Sequence, residues 1–168
     1  NSNGQLGNGT TTDSNVPVTV IGFGAGTPVS QISVGYRRTC ALQVDGNVRC
    51  WGMATGAGGT DSSTSVAVGG LTGVTQVAAG SDHACALLTD GSVRCWGSNQ
   101  FGQLGNGTTA DSLVPVGVYG LSGVLQVTAG SEHTCALIDA GSVVCWGDNH
   151  YGQLGTGSTT ENPVTFPI

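Results

Sequence analysis

Ala84-Cys85-Ala86-Leu87-Leu88-Thr89-Asp90-Gly91-Ser92-Val93-Arg94-Cys95-Trp96-Gly97 is an extended apolar stretch that turns at Asp-Gly and runs out to Cys-Trp-Gly. Asp-Gly between such stretches is a strong short-range hairpin signal. With a three-residue loop ending in a left-handed glycine, Cys85 falls directly opposite Cys95. The same phrase stands at Thr39-Cys40-Ala41-Leu42 to Cys50-Trp51-Gly52, turning at Asp45-Gly46, and at Thr134-Cys135-Ala136-Leu137 to Cys145-Trp146-Gly147, turning at Ala140-Gly141. Opposed residues on antiparallel strands lie about 4.5–5.5 Å apart, within disulfide reach. The pattern predicts Cys40–Cys50, Cys85–Cys95 and Cys135–Cys145, each stabilising by roughly 2–3 kcal/mol in an oxidising compartment. The alternative is thiols as zinc ligands, but two cysteines per hairpin without an adjacent histidine pair fit tetrahedral zinc poorly.

Working outward, each hairpin follows an apolar strand, at Ile32 to Val34, Val74 to Ala78 and Val124 to Thr128. Glycine-rich segments lie between, at Gly4 to Val20, Gly102 to Val118 and Gly152 to Ile168, with a degenerate copy from Met53 to Val68 that lacks Gly-Gln-Leu-Gly. There is one glycine-rich half too many. Units of this length, rich in glycine and without a helical apolar stripe, predict an all-β array of propeller-type blades. Such units hide their apolar faces against one another, so residues 1–168 are expected to form a single array. Asn1-Ser2-Asn3-Gly4-Gln5-Leu6-Gly7 aligns with Asn99 to Gly105, and Asn1 is read as a processed or truncated start inside a repeat.

Charged residues make up only 8% of the 168, the four basic residues are all arginine, and there is no lysine. Phosphate-loop and Schiff-base lysines are thereby excluded, and a net charge of −6 argues against a nucleic-acid backbone as partner. No run is long and apolar enough to suggest a membrane span. No catalytic constellation, cofactor motif or metal site is legible. Asp13, Asp61 and Asp111 recur in the glycine-rich loops, but without the closing glutamate of a calcium loop.

The order Val-x-x-Val-x-Ala-Gly, Ser-Asp/Glu-His, Cys-Ala-Leu, Asp-Gly-x-Val, Cys-Trp-Gly-x-Asn, Gly-Gln-Leu-Gly resembles the regulator of chromosome condensation repeat in its bacterial, cysteine-bearing form. The resemblance covers nearly the whole chain. It implies a β-propeller of four-stranded blades, usually seven, with the Val74 to Ala78 type strand innermost and the Val114 to Val118 type strand outermost. On that map residues 29–68, 74–118 and 124–168 are about three blades. Residues 1–20 are an orphan glycine-rich loop with an extra N-terminal outer strand, Val16 to Val20. The ring is incomplete unless joined to further blades, either because the chain is a window from a longer propeller or because copies join end to end through Val16, Val18 and Val20.

Positions where the copies differ are the candidates for partner binding. They are Tyr36, Arg37 and Arg38 in the first copy, Asp82 and His83 in the second, and Glu132 and His133 in the third, expected on one face of the array. Arg37 corresponds to Asp82 and Glu132, so opposite charges are expected to meet across neighbouring blades, while His83 and His133 also suit hydrogen bonds that fasten the loop. Asp82-His83 resembles an Asp-His pair on the exchange-factor face of the eukaryotic family member. Tyr36-Arg37-Arg38-Thr39 is similar to a Trp-Arg-His-Thr pattern of plant ultraviolet photoreceptors, with tyrosine in place of the absorbing tryptophan. Asn8-Gly9-Thr10 and Asn106-Gly107-Thr108 are glycosylation acceptor sequences. The expectation is a non-enzymatic extracellular or cell-surface binding and scaffolding module whose partner is a protein or a glycan. The alternative is a self-assembling subunit whose partner is a further copy of itself, and nucleotide exchange is a distant third.

Overall fold

The computed structural model describes the chain except residues 25, 27, 56–58, 140, 161 and 168, and describes only the backbone of 162–167. The described strands form three four-stranded antiparallel sheets. The first contains β1 (Val29–Val34), β2 (Arg38–Gln43), β3 (Val48–Gly52) and β4 (Ser62–Ala67). The second contains β5 (Val74–Ala79), β6 (His83–Leu88), β7 (Val93–Gly97) and β8 (Ser112–Gly117). The third contains β9 (Val124–Ala129), β10 (His133–Ile138), β11 (Val143–Gly147) and β12 (Asn162–Pro167). Within each sheet the strands pair in sequence order. β1 lies against β5 and β5 against β9, which makes the first strand of each sheet the inner one of an unclosed propeller.

The hairpins have the register their sequence predicts. Cys40 pairs with Cys50, Cys85 with Cys95 and Cys135 with Cys145. Their Cα atoms stand 4.1, 4.0 and 4.1 Å apart, and each pair is disulfide-bonded. The Gln43 amide donates to Asn47 and the Leu88 amide to Ser92, both at 2.9 Å. These bonds close three-residue loops on Gly46 and Gly91, at φ +84° and +75°. A side chain there would meet the left-handed penalty of roughly 1–2 kcal/mol.

Alternation along β6 explains the stacking. Ala84, Ala86 and Leu88 pack against the first sheet with Val48 and Cys50. Cys85 and Leu87 pack against the third with Val127, Val144 and Trp146. A strand buried on both faces reads as a continuous apolar run, and each large side chain so buried contributes about 1.5–3 kcal/mol.

Polar clamps fix the sheets on one another. Register shifts beside Ser30 and Thr75 precede Gln31 and Gln76, whose side-chain amides bond to the main chain of the next sheet. Gln31 Oε1 accepts from Val77 N at 2.9 Å and Nε2 donates to Val77 O at 3.2 Å. Gln76 does the same to Val127, at 2.9 and 3.0 Å.

The expected outer strand Val16 to Val20 is not formed; those residues lie in no strand. Its counterpart β8, which carries Pro115 at the position of Pro17, pairs with β7, whereas Val16 to Val20 pair with no described strand. Residues 1–21 instead cover the outer half of the first sheet. Gln5 O accepts from Thr39 Oγ1 at 3.0 Å and Trp51 Nε1 at 2.8 Å. The chain makes the same fastening between its second and third sheets, where Gln103 O accepts from Thr134 Oγ1 at 3.0 Å and Trp146 Nε1 at 2.9 Å.

Candidate functional site

Each sheet turns from its inner strand into its hairpin through a tight Gly-containing loop, and the three loops come to one face. Gly35, Gly80 and Gly130 bring the backbones close; a Cβ on Gly35 would run into Gly80 O, and one on Gly80 into His83. Between the loops lies a depression of about 690 Å³ lined by Tyr36, Arg37, Ser81, Asp82, Ser131 and Glu132, among others. Residues of three different sheets therefore share one site.

Its charges alternate. Arg37 Nη1 stands 4.0 Å from Asp82 Oδ2, and its guanidinium lies 5.6 Å from the centre of the Tyr36 ring. Both Arg37 and Asp82 reach solvent, so the pair is worth at most about 1 kcal/mol. Glu132 is held by Gln103 Nε2 at 2.7 Å. Burial, then the charge of Asp82, pushes the Glu132 carboxyl above its ordinary range, with the Gln103 bond opposing. Tyr36 is 76% exposed and projects the largest apolar surface at the rim.

Arg38 and His83 are buried wall rather than surface, and His133 is half-buried. Thr134 Oγ1 spends its proton on Gln103 O, so His83 Nε2–H donates to that oxygen, at 2.9 Å. Burial, then Arg38 and His133, pushes the His83 imidazole down to about 3. Burial also lowers His133. Arg38 takes the position of these histidines in the first sheet. It is fully buried and donates from Nη2 to Met53 O at 3.2 Å, and burial pushes its guanidinium down to about 10. Among the described residues, Arg38 Nε and Nη1, Asp82 Oδ1 and His83 Nδ1 are buried without a hydrogen-bond partner. Such groups cost free energy, and all four belong to this wall.

The other candidates stand apart from the depression. Oδ1 of Asn8 accepts from Thr10 N and Oγ1, and Oδ1 of Asn106 from Thr108 N and Oγ1, so both asparagines brace the turns of the glycine-rich loops. Val16 is exposed, while Val18 and Val20 are half-buried on their own chain. Gln103 was not singled out by sequence, because its Gly-Gln-Leu-Gly phrase reads as structural. Its only signal is that a polar residue recurs at a packed position. Among the described residues no group of three or more His, Cys, Asp or Glu could hold a metal, and no helix is long and apolar enough to cross a membrane.

Two models of the regulator of chromosome condensation (RCC1) repeat match the sequence, one over residues 74–103 and 124–153, the other over 1–42, 90–137 and 140–168. Human WBSCR16 superimposes with a TM-score of 0.88 at 25% identity, over 99% of this chain and 46% of its own. Yeast RCC1 (Prp20), in a structure bound to Kap60, superimposes with a TM-score of 0.72 at 26% identity, over 85% of this chain and 36% of its own. Prp20p from Saccharomyces cerevisiae, described with its binding to Gsp1p and histones, gives 0.70 at 27%, over 85% and 37%. The chain spans less than half the length of these proteins. No curated protein matches it in sequence.

Proposed function

The chain belongs to the regulator of chromosome condensation (RCC1) repeat family, and we propose that it is a non-catalytic binding module that holds a protein partner on the face built by Tyr36, Arg37, Asp82 and Glu132. The observation that carries this reading is the depression itself. Three rigid sheets present an exposed aromatic ring and charges of both signs in fixed relation, and a preorganised surface of that kind lowers the ordering cost of binding. The three disulfides support an oxidising, extracellular or cell-surface setting. In that setting Asn8 and Asn106 are candidate glycan carriers outside the contact face.

Nucleotide exchange has less support, because the imidazole of the Asp82-His83 pair is committed to Thr134 inside the wall. The test is affinity capture from the protein's own extracellular fraction with the wild-type chain and a Tyr36→Ala, Arg37→Glu, Glu132→Lys triple variant. Loss of specific captured proteins by the variant is the expected result. Identical capture by both chains overturns this face as the site.

A further inference from the structure

We propose that the groove between the first and second sheets is a further docking site, and that it takes a short segment of a protein partner in which a leucine follows a free backbone carbonyl and a carboxylate stands nearby. The groove has a volume of about 380 Å³ and is lined by Cys50, Val66, Val68, Trp96, Leu113 and Pro115, among others. It runs beside the outer strands β4 and β8, and none of the described residues lines both it and the depression between the loops.

The chain itself shows what fits such a groove. In the joint between the second and third sheets Leu104 is fully buried against Cys95 and Trp146, with Val116 and Val118 beside it. The carbonyl before that leucine, Gln103 O, accepts from Trp146 Nε1 at 2.9 Å. One repeat earlier the counterparts of Cys95, Trp146, Val116 and Val118 are Cys50, Trp96, Val66 and Val68, and all four line the groove. The seat is repeated without the leucine. The loop at the position of Leu104 runs only over 53–61, against 98–111 in the second sheet, and its sequence contains no leucine and no Gly-Gln-Leu-Gly. Its one large apolar side chain, Met53, has its sulfur 3.6 Å from Arg37 Nη1, at the depression.

Two polar groups are left for a partner to satisfy. Trp96 is 4% exposed; among the described residues no group accepts from its Nε1, and that nitrogen is not one of the sealed, unpartnered atoms. An indole N–H therefore opens into the groove. One carbonyl suffices for it, because Ala84 stands where Thr39 and Thr134 share the carbonyl bonded to their tryptophans. Arg94 lies two residues before Trp96, hence on the same face of β7, and is exposed. Its counterpart Arg49 donates to Ser65 Oγ at 2.9 Å and Ser65 O at 2.7 Å, but Pro115 stands at the place of Ser65 in the second sheet. Without a hydroxyl there, the guanidinium is complementary to a carboxylate on the partner. Leu113 and Val114, 57% and 65% exposed, extend the apolar surface at the rim, where the first sheet has Ser63 and Thr64.

Nuclear magnetic resonance of the indole N–H groups tests this on the isotope-labelled chain, with the Trp96 signal assigned by Trp96→Phe. The probe is a synthetic peptide with the sequence of residues 99–112, which holds the leucine, the carbonyl before it and one carboxylate without any cation. The expected result is a saturable movement of the Trp96 signal while those of Trp51 and Trp146 stay in place. A peptide with serine for the leucine is expected to bind at least about tenfold more weakly, the loss that goes with burying one leucine side chain. Leu113→Asp and Arg94→Glu, both at exposed positions, are expected to weaken binding of the original peptide. If the Trp96 signal does not move at millimolar peptide, if the leucine and serine peptides move it alike, or if either variant binds as tightly as the wild type, the proposal is overturned. Movement by hexanol but not by the peptide would make the groove a seat for small apolar molecules, and overturns it as well.

Discussion

Thr134 joins its own strand to β6 and to the loop between β7 and β8 through one oxygen, which accepts from His83 and donates to the Gln103 carbonyl. Thr134→Val leaves the buried His83 Nε2 without its acceptor, while the Gln103 carbonyl keeps its bond from Trp146 Nε1, and is expected to cost about 1–3 kcal/mol in urea unfolding. His83 gives the fold a pH dependence of definite sign. Unfolded, it titrates near 6.5, and folded at about 3. Between those values the unfolded chain binds the extra proton, so this contribution to stability is complete above pH 6.5 and falls as the pH drops toward 3. The raised Glu132 carboxyl acts in the opposite direction. Melting temperatures at pH 7 and pH 4 are expected to fall less for His83→Gln than for wild type, and equal falls would remove His83 as the source. The sequence marks His83 and His133 as possible loop fasteners. Arg38 at the same position looks like a surface cation and is instead fully buried, because Ala84 and the missing Gly-Gln-Leu-Gly leave room for a longer side chain.

At the scale of the element, the hairpins were the most legible part of the chain. Turn residues and side-chain alternation set the register locally, so the sequence alone places Cys85 opposite Cys95. Removing that bridge as Cys85→Ala with Cys95→Ala is expected to lower stability by roughly 2–3 kcal/mol, and the denatured, unreduced wild-type chain should show essentially no free thiol. Gly105 and Gly155 offer a matched comparison. Both have left-handed backbones, at φ +65° and +71°, but a Cβ would lie 2.6 Å from Trp146 Nε1 at Gly105 and near nothing at Gly155. Gly105→Ala should therefore destabilise more than Gly155→Ala by denaturant unfolding; equal effects would mean that the loop does not depend on close approach to the tryptophan. Val16 to Val20 misled for the converse reason. Its composition suits a strand, but a strand exists only where a neighbour supplies a ladder.

Across the whole molecule, what sequence could not supply was contact between repeats. The Gln31 and Gln76 clamps, the Thr134 junction and the seating of residues 1–21 on Trp51 join positions far apart in the chain, and no local pattern announces which copy meets which. The common face of Tyr36, Asp82 and Glu132 was legible because the repeat forces equivalent loops to one side; its depth and the burial of Arg38 and His83 were not. On the proposed reading, recognition is concentrated on that face and the outer strands are support. The most direct test puts a photo-activated cross-linking residue at Tyr36 in one chain and at Tyr119, exposed on the outer side, in another, and exposes both to the same native extracellular material. A discrete cross-linked protein from position 36 and none from position 119 is the result this account expects. Equal labelling from both, or labelling only from 119, contradicts it.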